Sequence, residues 1–278
     1  MKNILKIMLM MITIFTIAGS AVYAAEIPVS DQDQLITSSD WTEISNLQDE
    51  MKKEEPDATI DYDKALKVYV DCNLIKLQTA DTKKLTSALE SANYVWVIPF
   101  KMEKTYGMFT VAKGLPLREE AKSVLTKAEQ EEVKNHAGKW MITEIAEHTV
   151  EPYYDILLEK REALSDCTRV VLVGSQPGMR QPVALGMDDE TARIWISLGY
   201  QYPVMKKIPE TQNVESGVYS FDSVAEISDT YIEDSEVSTG AGVQSRSSMK
   251  YVAGIGIVLI GSILILSVLK KKKIKSED

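Results

Sequence analysis

An α+β domain, with an antiparallel sheet and helices on one of its faces, is the fold class that the sequence predicts. Stretches with two-residue apolar periodicity alternate along the chain with stretches of helical periodicity. The strand-like stretches are short and are joined by tight turns, which is typical of antiparallel pairing. The order strand–helix–strand–strand occurs twice, over about residues 66–114 and 139–199, which indicates a candidate duplicated β-α-β-β unit.

The first folded part, residues 25–65, contains one predicted helix. Asp40 stands at a candidate helix N-cap, and Glu43 follows three residues later, which is the spacing of a capping box. The apolar residues that follow recur at helical spacing: Trp41, Ile44, Leu47 and Met51. The helix is therefore expected to begin at Asp40 and to end before Lys52.

The main domain, residues 66–205, is expected to hold seven strands and three helices. Strands are predicted at residues 66–72, 94–102, 106–114, 139–147 and 168–174, with two more between residues 181 and 199. Helices are predicted at residues 81–92, 126–138 and 151–164. The second begins at Thr126, with Glu129 as its capping-box partner, and ends at Gly138. Pro99 lies inside an almost wholly apolar strand, where it predicts a bulge or a bend.

An uncharged stretch at residues 251–269 predicts one C-terminal transmembrane helix. At about 1.5 Å per residue it reaches about 28 Å, close to the ~30 Å hydrocarbon core of a bilayer. Four lysines follow at residues 270–273, and such a basic flank stays in the cytoplasm. Residues 270–278 are therefore an expected cytoplasmic tail, and the polar residues 206–250 are an expected disordered stalk.

Residues 1–24 predict a cleaved signal peptide. Lys2 and Lys6 form a basic start, residues 4–19 are mostly apolar, and Val22 and Ala24 occupy the small-residue positions before a cleavage site. An uncleaved N-terminal anchor is the alternative. Together the two ends predict a single-pass plasma-membrane protein with its N-terminus outside and its C-terminus in the cytoplasm.

The charge of the external part limits its partners. Of the 31 basic and 41 acidic residues of the chain, 23 and 39 lie between residues 25 and 249, which gives that part a net charge of −16. Such a surface repels nucleic acid and anionic lipid headgroups, so no nucleic-acid partner is expected. The sequence holds no Asn-X-Ser/Thr acceptor, which favours a bacterial cell surface as its location.

The two cysteines of the chain, Cys72 and Cys167, both lie in the external part. An oxidising compartment permits one disulfide between them, and they can form only one pairing. The alternative is two buried free thiols that pack as small apolar residues. The sequence leaves both readings open.

Few residues form a recognisable chemical site. His136 and His148 have no metal-ligand spacing, and no serine-hydrolase elbow occurs. Acidic groups at residues 57–63 and 188–190 lack the spacing of a calcium loop. The candidate ligand contacts are Arg180, in a glycine-containing loop after a strand, and Tyr200 and Tyr202, at a strand end. No catalytic, metal or cofactor site is therefore predicted.

The expected function is non-enzymatic. An external domain with a membrane anchor and no catalytic constellation is expected to bind a protein, a peptide or an envelope component, or to support a membrane complex. The bilayer is its second partner, through residues 251–269. One alternative is a cell-envelope hydrolase that uses acidic residues, and another is a purely structural surface protein.

Overall fold

The computed structural model describes residues 27–148, 151–174, 176, 179, 181–199, 205–208 and 213–234. The predicted signal peptide, the apolar stretch at residues 251–269 and the basic tail lie outside these ranges. Within them, no helix combines the length and the apolar character that crossing a bilayer requires.

Ten strands form one mixed, largely antiparallel sheet with the order β5-β4-β3-β2-β6-β7-β8-β10-β9, and β1 pairs with β3 off this path. The strands are β1 (Thr59–Ile60), β2 (Leu66–Val70), β3 (Asn93–Lys101), β4 (Tyr106–Lys113), β5 (Trp140–His148), β6 (Arg169–Val173), β7 (Val183–Met187), β8 (Ala192–Ser197), β9 (Asn213–Glu215) and β10 (Val218–Ser220). The α+β class is confirmed, but the sheet is not purely antiparallel, because β2 and β6 run parallel at its centre.

Two antiparallel meanders extend in opposite directions from the central parallel pair. One runs through β2, β3, β4 and β5, and the other through β6, β7, β8 and β10. The proposed duplication of a β-α-β-β unit does not match this arrangement. In the second unit, β5 is separated from β6 by the three strands β4, β3 and β2, whereas the strands of the first unit are neighbours.

Seven α-helices accompany the sheet in the described ranges. They are α1 (Trp41–Ile44), α2 (Gln48–Glu54), α3 (Thr82–Glu90), α4 (Glu119–Lys122), α5 (Lys127–His136), α6 (Tyr153–Glu159) and α7 (Phe221–Asp234). The helix expected to begin at Asp40 is thus two short helices joined by a 3-10 turn at Ser45–Leu47. The capping box of Thr126 and Glu129 is confirmed at the start of α5.

Alternation along the strands divides the core into a front face and a back face. On β2, Lys67 and Tyr69 point to the front, and Leu66 and Val68 point to the back. Helices α1, α2, α3 and α7 contribute to the front clusters, and α6 packs on the back through Leu157. The prediction of helices on one face is therefore wrong, because the back face is also apolar and must be covered.

Residues 27–35 fill a gap between β2 and β6. The parallel ladder of these two strands covers only two residue pairs, Val68 with Leu172 and Tyr69 with Val173. Where the ladder stops, residues 27–35 bond to both sides of the gap. The N–H of Val170 in β6 donates to the carbonyl of Pro28 at 2.8 Å, and the N–H of Leu35 donates at 3.2 Å to the carbonyl of Ala65, just before β2. The first residues of the fold therefore satisfy backbone groups that the diverging strands leave free.

Pro99 lies in β3 without the expected bulge, since its register with Met108 of β4 is continuous. The carbonyl of Pro99 accepts from the N–H of Asp61 at 2.9 Å on the other edge of the strand. The nitrogen and the carbonyl of one strand residue face the same edge of the strand. The missing donor of Pro99 therefore points toward Asp61, beyond the first β2–β3 pair of Leu66 with Val97.

Residues 213–234, expected to belong to a disordered stalk that starts at residue 206, are folded. Strand β10 pairs with β8, β9 pairs with β10, and α7 follows directly. Phe221 and Val224 of α7 are buried in a core cluster on the front face of the sheet. Because the segment is mostly polar, its composition did not predict that a few apolar residues pack on the core.

Candidate functional site

A polar and aromatic cluster, partly buried, lies on the front face at the centre of the sheet. We call it the Lys67 cluster; its members are Asp33, Asp40, Lys67, Tyr69, Tyr94, Trp96 and Arg169. Strands β2, β3 and β6 supply five of them because alternation points these five positions to the front. The other two come from the segment that precedes β1.

Lys67 lies inside a cage of aromatic rings. Its Nζ is 4.5 Å from the ring centroid of Tyr94, 5.2 Å from that of Trp96 and 5.8 Å from that of Tyr69. The side chain is 11% exposed. Burial lowers the pKa of Lys67, although nearby Asp33 and Asp40 act in the opposite direction. The rings favour the ammonium through cation–π attraction, while the loss of water disfavours it.

Asp33 is the one carboxylate among the buried residues of the described ranges, with its side chain 2% exposed. Its Oδ1 accepts from the hydroxyl of Tyr69 at 2.8 Å, and its Oδ2 accepts from Ser30 Oγ at 2.6 Å and from Arg169 Nη2 at 3.0 Å. Lys67 Nζ lies 3.9 Å from Oδ1. Burial and the neighbouring Asp33 raise the pKa of Tyr69, so its hydroxyl stays a donor.

Asp40 closes the other side of the cluster. Its Oδ2 accepts from the hydroxyl of Tyr94 at 2.9 Å and from Nε1 of Trp96 at 3.0 Å. Asp40 is the N-cap residue of α1, as predicted, but its side chain makes no capping hydrogen bond. The carboxylate instead satisfies two aromatic donors on β3.

Two cations and two carboxylates balance the charge of the Lys67 cluster. An amine with a lowered pKa, held in an aromatic and poorly hydrated site beside a carboxyl group, has the chemistry of a nucleophile. The two carboxylates that converge here, Asp33 and Asp40, are both bound to donors from the chain itself. In the described ranges, no three His, Cys, Asp or Glu side chains come together in a way that could hold a metal.

A second feature is a surface groove of about 300 Å³ between α7 and the 3-10 turn at Ile75–Leu77. We call it the α7 groove. Its apolar lining comes from Ile75, Ala80, Phe221 and Ala225, and its polar lining from Gln78, Thr79, Asp222 and Glu226. Leu77, in the same turn, is 44% exposed. The groove thus combines an apolar floor with an acidic rim.

Cys72 and Cys167 are both free and buried, and they belong to different core clusters. Cys72 packs on the front face because Asp71, with a φ of 58°, ends the alternation of β2. Cys167 packs on the back face beneath Gly186. The sheet therefore separates the two thiols, and the structure supports the free-thiol reading over the bridge.

The other predicted contacts lie outside the described residues or are used structurally. Arg180, Tyr200 and Tyr202 are outside the described ranges, so their role as ligand contacts stays a prediction. Asp188 accepts from the backbone N–H groups of Glu190 and Thr191, which lowers the pKa of its carboxyl group, and it pairs with a neighbouring arginine. That carboxylate organises a turn.

Sequence reasoning missed the Lys67 cluster. The one available signal was a lysine between apolar residues in a strand, which ordinarily marks a solvent-facing side. A central strand has two buried faces, so its polar residues must find partners inside the protein. Which partners they find depends on residues that are distant in sequence, such as Asp33 and Arg169.

The chain was compared with protein-family models, with curated proteins and with solved structures, and it matches none of them.

Proposed function

We propose that the chain is a single-pass, membrane-anchored extracellular protein whose α+β domain binds a protein or peptide partner. The apolar stretch at residues 251–269 and the lysines at 270–273 support the anchor and its orientation in the plasma membrane. The α7 groove supports the binding role, because it offers apolar surface beside fixed charge.

The α7 groove favours a partner segment that carries an apolar side chain next to a basic one. Ala80 and Ala225 are partly exposed and present most of the apolar surface, above the nearly buried Ile75 and Phe221. The Asp222 and Glu226 carboxylates on α7 attract a cation. The net charge of −16 between residues 25 and 249 has the same sign, so it accelerates the approach of a basic partner. This combination is the observation on which the binding proposal rests.

The position of the groove suits a membrane-proximal partner. Helix α7 ends at Asp234, and residues 235–250 separate it from the apolar stretch. Fully extended, sixteen residues reach about 55 Å at most, which limits how far the groove can stand from the bilayer. A subunit of a membrane complex, or an envelope peptide near the bilayer, lies within this distance.

Topology is tested on intact cells that express the full chain with a tag after Asp278. External protease should digest the folded domain and leave a membrane-bound tagged fragment, and extraction of the uncut chain should require detergent. A chain that stays intact under protease, or that is released without detergent, contradicts the anchor and its orientation.

Binding is tested by selecting displayed peptides on the full chain in detergent. We expect enrichment of peptides with adjacent basic and apolar residues. Ala225→Arg should abolish their binding, because the arginine fills the groove, pairs with its carboxylates and repels the basic side chain of the peptide. Ala128→Arg, on the exposed side of α5, is the matched control and should leave binding unchanged. Binding that survives Ala225→Arg, or the absence of any enriched peptide, contradicts the proposed groove.

A further inference from the structure

We propose that Lys67 and Asp33 form an intramolecular isopeptide bond, which makes the Lys67 cluster a site of covalent self-modification. The nucleophile is the Nζ of Lys67, and the acceptor is the side-chain carboxyl carbon of Asp33. Nζ and Oδ1 are 3.9 Å apart, and the four side-chain bonds of a lysine can rotate to close that distance.

Burial prepares both groups for this reaction. The side chains of Lys67 and Asp33 are 11% and 2% exposed, and three aromatic rings surround the amine. The same surroundings lower the pKa of Lys67, which makes its neutral, nucleophilic form more accessible. A site with little water also favours amide formation, since water is the product and the agent that would reverse the step.

The hydrogen bonds of Asp33 distinguish its two oxygens. Oδ1 faces Lys67 and accepts from the Tyr69 hydroxyl, whereas Oδ2 accepts from Ser30 and Arg169. Oδ2 can thus remain as the amide carbonyl with both of its donors in place, and these donors stabilise the negative charge that develops there during attack. Oδ1 is the oxygen that leaves, and the Tyr69 hydroxyl, which donates to it at 2.8 Å, supports its departure.

The step balances without an external reagent. A proton moves from the Lys67 ammonium to the Asp33 carboxylate, so that a neutral amine faces a neutral acid. The N–C bond forms, the bond from carbon to Oδ1 breaks, and Oδ1 leaves as water with one further Nζ proton. Arg169 and Asp40 keep their opposite charges, so the cluster is neutral before and after. No atom changes its oxidation state.

The bond would fasten the start of the fold to the centre of the sheet. Residues 27–35 fill the gap between β2 and β6, and two described backbone hydrogen bonds, at Pro28 and Leu35, join them to the flanking strands. A covalent link from Asp33 to β2 closes the intervening loop and holds this segment in place. Closing a loop also restricts the unfolded chain, as a disulfide does.

The test is the mass of the purified full chain and of its tryptic peptides. We expect the wild-type chain to be lighter than its processed sequence by one water molecule. We also expect one branched peptide that joins Asp33 to Lys67, with no cleavage after Lys67. In Lys67→Arg the branched peptide should be lost. In Asp33→Asn it should form with the loss of ammonia instead.

The Lys64–Asp155 pair provides the control within the same molecule. Its Nζ–Oδ1 distance is only 2.8 Å, but the two side chains are 34% and 27% exposed, so no bond should form there. Linear wild-type peptides that contain unmodified Asp33 and unmodified Lys67 overturn the proposal. Because that measurement uses the wild-type chain, it does not depend on whether any variant folds.

Discussion

The carboxylate of Asp40 accepts a hydrogen bond from the indole Nε1 of Trp96 at 3.0 Å, across 56 positions of sequence. The same oxygen accepts from the Tyr94 hydroxyl. We expect Asp40→Ala to lower the free energy of unfolding by about 1–3 kcal/mol, because it leaves the donors of buried Trp96 and half-buried Tyr94 unpaired. Asp40→Asn keeps one acceptor and should cost less. Urea denaturation of the detergent-solubilised chain, followed by tryptophan fluorescence, measures both.

The control for Asp40 is Asp49→Ala, which removes an exposed carboxylate from the same segment. Its effect should stay within about 0.5 kcal/mol, as is usual for surface sites. Equal losses for Asp40→Ala and Asp49→Ala would mean that the bonds of Asp40 contribute nothing measurable.

Periodicity in the sequence located nearly every strand of the main domain, because a half-buried or buried strand records its environment in its own residues. The pairing partners are not recorded in that way. The parallel contact of Val68 with Leu172 joins residues about a hundred positions apart, and neither strand carries a mark of the other. The sheet order and the second apolar face therefore could not be derived locally.

The candidate site was hidden for a related reason. Asp40 resembles a helix cap in sequence, yet its side chain bonds to β3 instead. Asp71 breaks the alternation of β2 through a left-handed backbone and moves Cys72 to the front face. Local patterns assigned these residues to common roles, and tertiary contacts gave them other ones.

Gly107 is required by the ring of Phe100, which occupies the place that a Cβ on Gly107 would take. Gly107→Ala should therefore destabilise the chain by about 1–3 kcal/mol through overpacking. Gly174→Ala is the matched control, because its nearest neighbours would lie at an ordinary 3.6 Å. Its change should stay within about 1 kcal/mol. A larger loss for Gly174→Ala in urea denaturation would contradict this packing argument.

Both cysteines should react as free thiols, and only after unfolding. Cys72 and Cys167 are buried, and burial raises the pKa of each to about 11, so the thiolate is scarce at neutral pH. A chromogenic thiol reagent should detect almost none in the native chain at pH 8 and two per chain in strong denaturant. Detection of none in denaturant, with two appearing after reduction, would indicate a disulfide.

The stability of the fold should decrease at alkaline pH. The ordinary thiol pKa is 9.0, and the folded value is about 11 for both cysteines, so the folded chain holds protons that the unfolded chain releases. The stabilisation that the two protonated thiols contribute should then be fully present below pH 9 and be lost as the pH rises through 11. Burial also raises the pKa of Tyr94, which adds to the loss of stability at alkaline pH. The lowered pKa of Lys67 has the opposite effect on stability.

The thiol contribution is isolated by the Cys72→Ala, Cys167→Ala double variant. Its urea midpoint will be lower at every pH, but it should fall less steeply than that of the wild type between pH 9 and pH 11. Parallel slopes would assign the alkaline loss to tyrosines or to the net charge instead of to the cysteines.

Phe221 joins residues 213–234 to the core. Its ring stacks on Trp195 with centroids 5.7 Å apart and planes 10° from parallel. We expect Phe221→Ala to lower the free energy of unfolding by about 3–5 kcal/mol, while Phe221→Leu loses less than half of that. Asp222→Ala, at the next and exposed position, should be nearly neutral. If Phe221→Ala is as mild as Asp222→Ala, residues 213–234 do not share the cooperative core and the stalk begins before them.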